Sequence, residues 1–313
     1  MIVIAQRVLR LLIVTFIVTL FTALLLQLVP GSPAQLIAGE GASPEALRTI
    51  NHQYGFDKPV FTQYINWMKG LFTGDLGTSY RSGAPVWNAI KERAPVTAEL
   101  AIGAIVLALV LAVPLALLCA YRAGRFFDRV VEAITSVMIA IPPFLSALLF
   151  SYVFAISLAW FPVTGWVSLT DDPVGNIEHA VIPIVALALP AVAVFQRVLR
   201  ADVIATLQED HIALARAKGV SSTQIMLRHA LRPSSFSLLT VAGLQLAGLV
   251  GGTVIIETLF ALPGLGSLLV QSVLGHDLVT VQGLVVVLAL SYLLVNLIVD
   301  ISYRLIDPRV SIQ

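Results

Sequence analysis

The stretch His179–Gln196, HAVIPIVALALPAVAVFQ, decides how this chain is read. Its 18 residues lie between Glu178 and Arg197, carry no formal charge, and are interrupted by Pro183 and Pro190. At about 1.5 Å per residue, a helix of this length just crosses a hydrocarbon core. Read as a full span, it is the fourth of six and leaves both chain ends on one side. Read as a re-entrant or interfacial segment, it puts the basic segment that follows on the opposite face.

The surrounding composition demands a membrane. The chain has 313 residues, 58% of them hydrophobic and only 12% charged, about half the charged share of a soluble domain. The charges are also clumped, leaving long stretches without the polar face that a soluble helix needs. The net charge of +1 excludes a nucleic-acid binder working through bulk positive charge. A single cysteine, Cys119, allows neither an internal disulfide nor a cysteine-based metal site. The five histidines have no ligand spacing, so no metal or cofactor is expected.

Apolar runs give the remaining spans. The first covers 9–29, its charge-free run Leu11–Val29 preceded by Arg7 and Arg10. Its apolar stretch is too long for the core of a signal peptide, so it is expected to be a retained helix. The others are expected at about 97–121, 133–160, 180–199, 233–257 and 282–304, giving an all-α protein of six transmembrane helices. Thirteen of the 19 Lys and Arg then fall in the chain ends and short loops of one side, and none in the loops 161–179 and 259–281. Basic residues in short loops mark the inside. This argues that 180–199 spans and that both termini are cytoplasmic.

Two segments lie outside the bilayer. Segment 30–96 opens on Pro30-Gly31-Ser32-Pro33, and Ser43-Pro44 has the form of a helix start with Ser43 as N-cap. Tyr64, Trp67, Met68 and Leu71 share a face at helical spacing. That face either packs on the membrane surface or helix tops, or forms a small cap that meets an external partner. The segment is too short for an independent enzyme domain. Segment 200–232 reads as two short helices joined at a bend. Ile212–Lys218 is helix-forming, Gly219 sits where a helix end wants a left-handed residue, and Ser221 with Gln224 matches a capping box. It is either an interfacial connector gripping lipid or a docking element for a cytoplasmic protein.

At Ala213-Leu-Ala-Arg-Ala-Lys-Gly219 the sequence resembles the permease subunits of bacterial ATP-binding-cassette importers for dipeptides, oligopeptides and nickel. This stretch is similar to their EAA loop, although its first position is Ala rather than Glu. Other blocks match in order: Pro30-Gly31-Ser32-Pro33-Ala34, Tyr54–Pro59, Gly74-Asp-Leu-Gly-Thr-Ser79, Arg228–Arg232, Glu257–Gly266 and Leu305–Arg309. The external segment after the first helix resembles the B-type subunit. The resemblance implies the type I importer permease fold over 95–304, with an extracytoplasmic insertion at 30–96 and a coupling helix in 200–232. It implies that Ala213, Leu214, Ala215, Arg216, Ala217, Lys218 and Gly219 meet an ATPase. The implied partners are a second, C-type permease, two ATPase subunits and an extracytoplasmic peptide-binding protein, with a peptide as substrate.

The residues agree with a passive membrane subunit rather than an enzyme. No Gly-Lys dipeptide exists, so the chain has no Walker A loop and its energy must arrive from another chain. Pro114, Pro142, Pro143, Pro183 and Pro190 interrupt membrane helices, and Gly243, Ala247 and Gly251 give a small-residue stripe in the fifth. Each serves equally in static packing. Gln196, Gln245 and Asn296 are the polar candidates for the pore or the permease interface, and Glu99 and Glu257 the acids for an outer mouth. The competing function is a secondary transporter coupled to an ion gradient. That would want paired carboxylates at mid-membrane or internal repeats, and neither is evident.

Overall fold

The computed structural model describes residues 13–24, 32–39 and 41–306, with side chains left out at 36, 250 and 299–306. In chain order the helices are α1 Ile13–Leu24, α2 Pro33–Ala38, α3 Pro44–Tyr54, α4 Val60–Phe72, α5 Val86–Tyr121, α6 Phe126–Ala140 and α7 Pro143–Phe150. They continue with α8 Pro173–Thr206, α9 Asp210–Ala217, α10 Ser222–Gln224, α11 Leu231–Leu259, α12 Leu265–Leu274 and α13 Leu278–Ile306. Two π-helical segments follow α7 and α10, at Ser151–Ser157 and Ile225–Ala230. Among the described residues there is no strand, only an isolated bridge between Thr78 and Pro85.

Among the described residues three helices, α5, α8 and the 278–298 part of α13, are long and apolar enough to cross a membrane. Counting each of two bent helix pairs as one span gives up to five. The first expected span, 9–29, is described only over Ile13–Leu24. The stretch 179–196 lies inside one unbroken 34-residue helix, so Pro183 and Pro190 do not turn it back.

Several helices extend beyond the ranges expected for them. α5 begins at Val86 rather than about 97, and α8 at Pro173 rather than 180. The start of α8 has a local cause: Asp172 caps it by accepting from the Val174 N–H at 3.1 Å, and Pro173 occupies the first helical position. The third expected span, 133–160, is different again. It is α6 and α7 joined at a bend of 101°. Ile141 and Pro142 each precede a proline, and both are extended, with ψ of 121° and 141°. A residue before proline is pushed out of the α region by the ring, and two in succession make a corner.

The chain divides into two compact units. One contains the residues before Ala98 together with Pro263–Leu293. Its core gathers Ala23, Tyr64, Trp67, Leu76, Val86, Ile90, Leu265, Leu268, Val279, Leu284 and Val286, with Met68 and Leu71 packed alongside. The amphipathic face of α4 is therefore buried against neighbouring helices. The Trp67 indole N–H donates to the Leu76 carbonyl, and the Tyr64 hydroxyl meets Thr19 Oγ1 at 2.9 Å. Burial pushes the Tyr64 phenol above its usual pKa, and its hydrogen bond with Thr19 opposes this. Ser43 caps α3 as its sequence suggests, accepting from the Ala46 N–H.

The second unit contains Ala98–Leu262 and the end of α13. α8 lies at its centre, packed against α6, α7 and α11. Its inward face sets the small residues Ala186, Ala188, Ala191 and Ala193 among larger ones such as Leu187, Phe195 and Leu199. Gly103 of α5 lets Ile184 approach so closely that a Cβ there would sit 2.6 Å from its Cδ1. Close approach through small residues is how membrane helices gain packing where water supplies no driving force.

Candidate functional site

The segment after α8 turns through Leu207–Glu209 and forms α9. Two of its side chains, Ile212 and Ala215, turn inward onto Ile225, with Leu207 and Val220 packed beside them. Ala213, Leu214, Arg216, Ala217 and Lys218 are exposed, and Leu214 has 57% of its surface open. α9 thus presents a small apolar surface flanked by two cations, held from behind by a minute core.

Its end is a Schellman motif. The Val220 N–H donates to the Ala215 carbonyl at 3.1 Å and the Gly219 N–H to the Arg216 carbonyl at 3.0 Å. Gly219 has φ of +76°, in the left-handed region where a Cβ is strained. Val220 packs near Ala215, the apolar contact that accompanies this cap. Ser221 then accepts from the Gln224 N–H at 3.4 Å and starts the next helix. The bend between two short helices is thus built as its residues suggested. The π-helical turn Ile225–Ala230 was not legible, and it carries the chain directly into α11 through Pro233. Of the seven residues 213–219, Ala215 alone faces inward, and Gly219 acts through the backbone.

A buried polar network supports this element. Arg200 Nε and Nη2 donate to the two carboxylate oxygens of Asp128 at 2.6 Å each, and Nη1 pairs with Glu132 at 3.0 Å. The Asp128 side chain is 1% exposed and also accepts from the Gly124 N–H at 2.8 Å. One turn away, Arg197 donates to Ser136, Thr135 and the Glu132 carbonyl. Thr206, the last residue of α8, meets Ser234 of α11 at 3.2 Å. In the sequence these arginines stand out only as topology markers. The available signal was Asp128 and Glu132 at i, i+4, two like charges on one helix face that need a cation from elsewhere.

The remaining candidates are dispersed. Gln196 is fully buried near Cys119, and its amide atoms make no good hydrogen bond among the described residues. Gln245 and Asn296 are half-buried. Glu99 is half-buried beside Asn176. Glu257 is fully buried rather than open at a mouth, and accepts from the Thr253 hydroxyl at 2.8 Å. Among the described residues no cluster of three His, Cys, Asp or Glu could hold a metal ion.

Comparison with known proteins places this arrangement. Residues 112–312 match the family described as binding-protein-dependent transport system inner membrane component, and residues 1–101 match its N-terminal counterpart. A protein of Brucella abortus (strain 2308), named for a peptide transport system permease, is 39% identical over 307 residues, 98% of each chain. The dipeptide transport system permease protein of Alkalihalophilus pseudofirmus is 33% identical over 325 residues, covering 97% of this chain and 98% of that one. The glutathione transport system permease protein of Escherichia coli O6:H1 is 34% identical over 305 residues, 97% of each. Among solved structures, a chain of the inward-facing MetNI methionine ABC transporter is similar with a TM-score of 0.55 and 19% identity, over 67% of this chain and 92% of that one. That likeness extends to the fold, a bundle of membrane helices of the type I importer permease class. The chain belongs to the family of inner membrane components of binding-protein-dependent transport systems.

Proposed function

We propose that this chain is the B-type permease of an ATP-binding-cassette importer that moves di- or oligopeptides across the cytoplasmic membrane. A C-type permease completes the pore, two ATPase subunits drive it, and an extracytoplasmic binding protein delivers the peptide. Both termini and α9 lie on the cytoplasmic side, and α2, α3 and α4 lie outside. The observation that carries the reading is α9 itself. It presents Ala213, Leu214, Arg216, Ala217 and Lys218 outward on a platform braced by Ile212 and Ala215. An exposed apolar face flanked by cations suits a cleft in a partner protein. Relatives named for peptide, dipeptide and glutathione transport support the substrate class.

The test is reconstitution. This chain, its partner permease and two ATPases are co-expressed, placed in proteoliposomes, and supplied with binding protein saturated with a tritiated dipeptide. ATP-dependent uptake that requires every component supports the proposal. Uptake by this chain alone, driven by a proton or sodium gradient, would replace it with the secondary transporter.

A further inference from the structure

A buried ion pair lies between the proposed coupling helix and the broken helix α6–α7. Arg200 stands two turns before the end of α8, and only Leu207–Glu209 separate that end from α9. Its guanidinium forks onto Asp128, whose oxygens are also held by the Gly124 N–H, so the carboxylate is nearly saturated with donors. Arg197 repeats the grip one turn further along, on Thr135, Ser136 and the Glu132 carbonyl. Two rungs on antiparallel helices resist both sliding and rolling of α6 on α8. A single surface ion pair does neither.

Resting on the function proposed above, we infer that Asp128 and Arg200 form the joint that carries movement of α9 to α6 and so to α7. They are positioning residues and touch no substrate. A push on α9 reaches α8 through three residues, and α6 follows because a buried, forked pair breaks only at the cost of an uncompensated charge. The corner at Ile141-Pro142 then redirects that movement into α7 and the π-helical segment Ser151–Ser157. Without the fork, α8 would move while α6 stayed behind.

The experiment uses the reconstituted complex with binding protein and tritiated dipeptide. It compares Asp128→Asn, Arg200→Lys and the swapped pair Asp128→Arg with Arg200→Asp. Both single variants should assemble at near wild-type yield and keep stimulated ATP hydrolysis within twofold, while peptide moved per ATP falls at least tenfold. The swap should recover most of that ratio. Wild-type transport per ATP in both single variants overturns the joint. So does a fall in hydrolysis and uptake that merely tracks the amount assembled, because a pair that only stabilises the fold leaves the ratio unchanged. If the swapped protein does not assemble, Arg200→Lys decides, since it keeps the charge and removes the fork. Absence of ATP-driven uptake in the wild-type complex would instead defeat the functional proposal, a distinct result.

Discussion

The Ser79 hydroxyl donates to Asp277 Oδ2 at 2.5 Å, joining the loop before α5 to the first turn of α13 across 198 residues of chain. Asp277 is 3% exposed and accepts as well from the Tyr80 N–H and from the Thr280 N–H and hydroxyl. One carboxylate thus caps a helix and fastens a distant loop. Asp277→Asn keeps the shape but loses the charge-assisted bonds. It should weaken this unit by about 1–3 kcal/mol. Hydrogen exchange should then quicken in 75–85 and 277–284 while α8 stays protected; unchanged exchange at both segments would refute the link.

Tyr80 sits beside that carboxylate. Its pKa is raised from 10.0 to about 12, first by burial and then by the negative charges of Asp277 and, on ionisation, Tyr54. The folded state therefore holds the phenolic proton where an unfolded chain has released it. This contribution to stability is complete below pH 10, neutral pH included, and is lost as pH rises from there through about 12. Phenolate absorbance should show a late-titrating tyrosine that Tyr80→Phe removes. Asp277→Asn should bring that tyrosine's titration to lower pH.

Gly219 offers a test of coupling. At φ of +76° any Cβ is strained by about 1 kcal/mol, and β-branched Val fits worst. Beyond its two chain neighbours nothing lies within 4 Å of a Cβ built there, so the penalty is conformational rather than a clash. Gly219→Val should leave the amount in the membrane near normal and lower both uptake and binding-protein-stimulated ATP hydrolysis severalfold. Gly219→Asn, which tolerates positive φ, should retain more of both. Full transport by the Val variant would exclude α9 as the coupling element.

Topology is accessible to labelling. With Cys119 replaced by Ala, a cysteine placed at Thr49 or at Leu169 should react with an impermeant maleimide added outside intact cells. One at Ser221 should react only after the membrane is opened. Labelling of Ser221→Cys from outside would invert the orientation and with it the proposed direction of transport.

What was legible in the sequence depended on which physical rule applied. Ser43, Gly219 and Ser221 act through bonds to residues within a few positions, and the structure repeats the local reading. Helix lengths were less legible, because a charge-free run measures hydrocarbon thickness, whereas a helix continues into water. α5 runs on past Lys91, Glu92 and Arg93, and α8 past Glu178 and Arg197. The α6–α7 corner was written in Pro142-Pro143, yet a lone proline reading suggested only interruption: Pro183 and Pro190 look similar and leave α8 continuous. The Asp128–Arg200 and Ser79–Asp277 links join residues 72 and 198 positions apart, beyond any periodicity.

The corner at Ile141-Pro142 has a mechanical consequence. α6 and the segment Pro143–Ser157 meet at 101°, close to a right angle. An arm of that length is roughly 20 Å at helical rise. If α6 and α8 turn together as one body about the axis of α6, the arm swings like a crank. A roll of roughly 10° then carries its tip about 3 Å, on the scale of known helix shifts in switching proteins. A straight helix making the same roll would displace nothing at its end. The double proline thus turns a torque that leaves α6 in place into lateral travel.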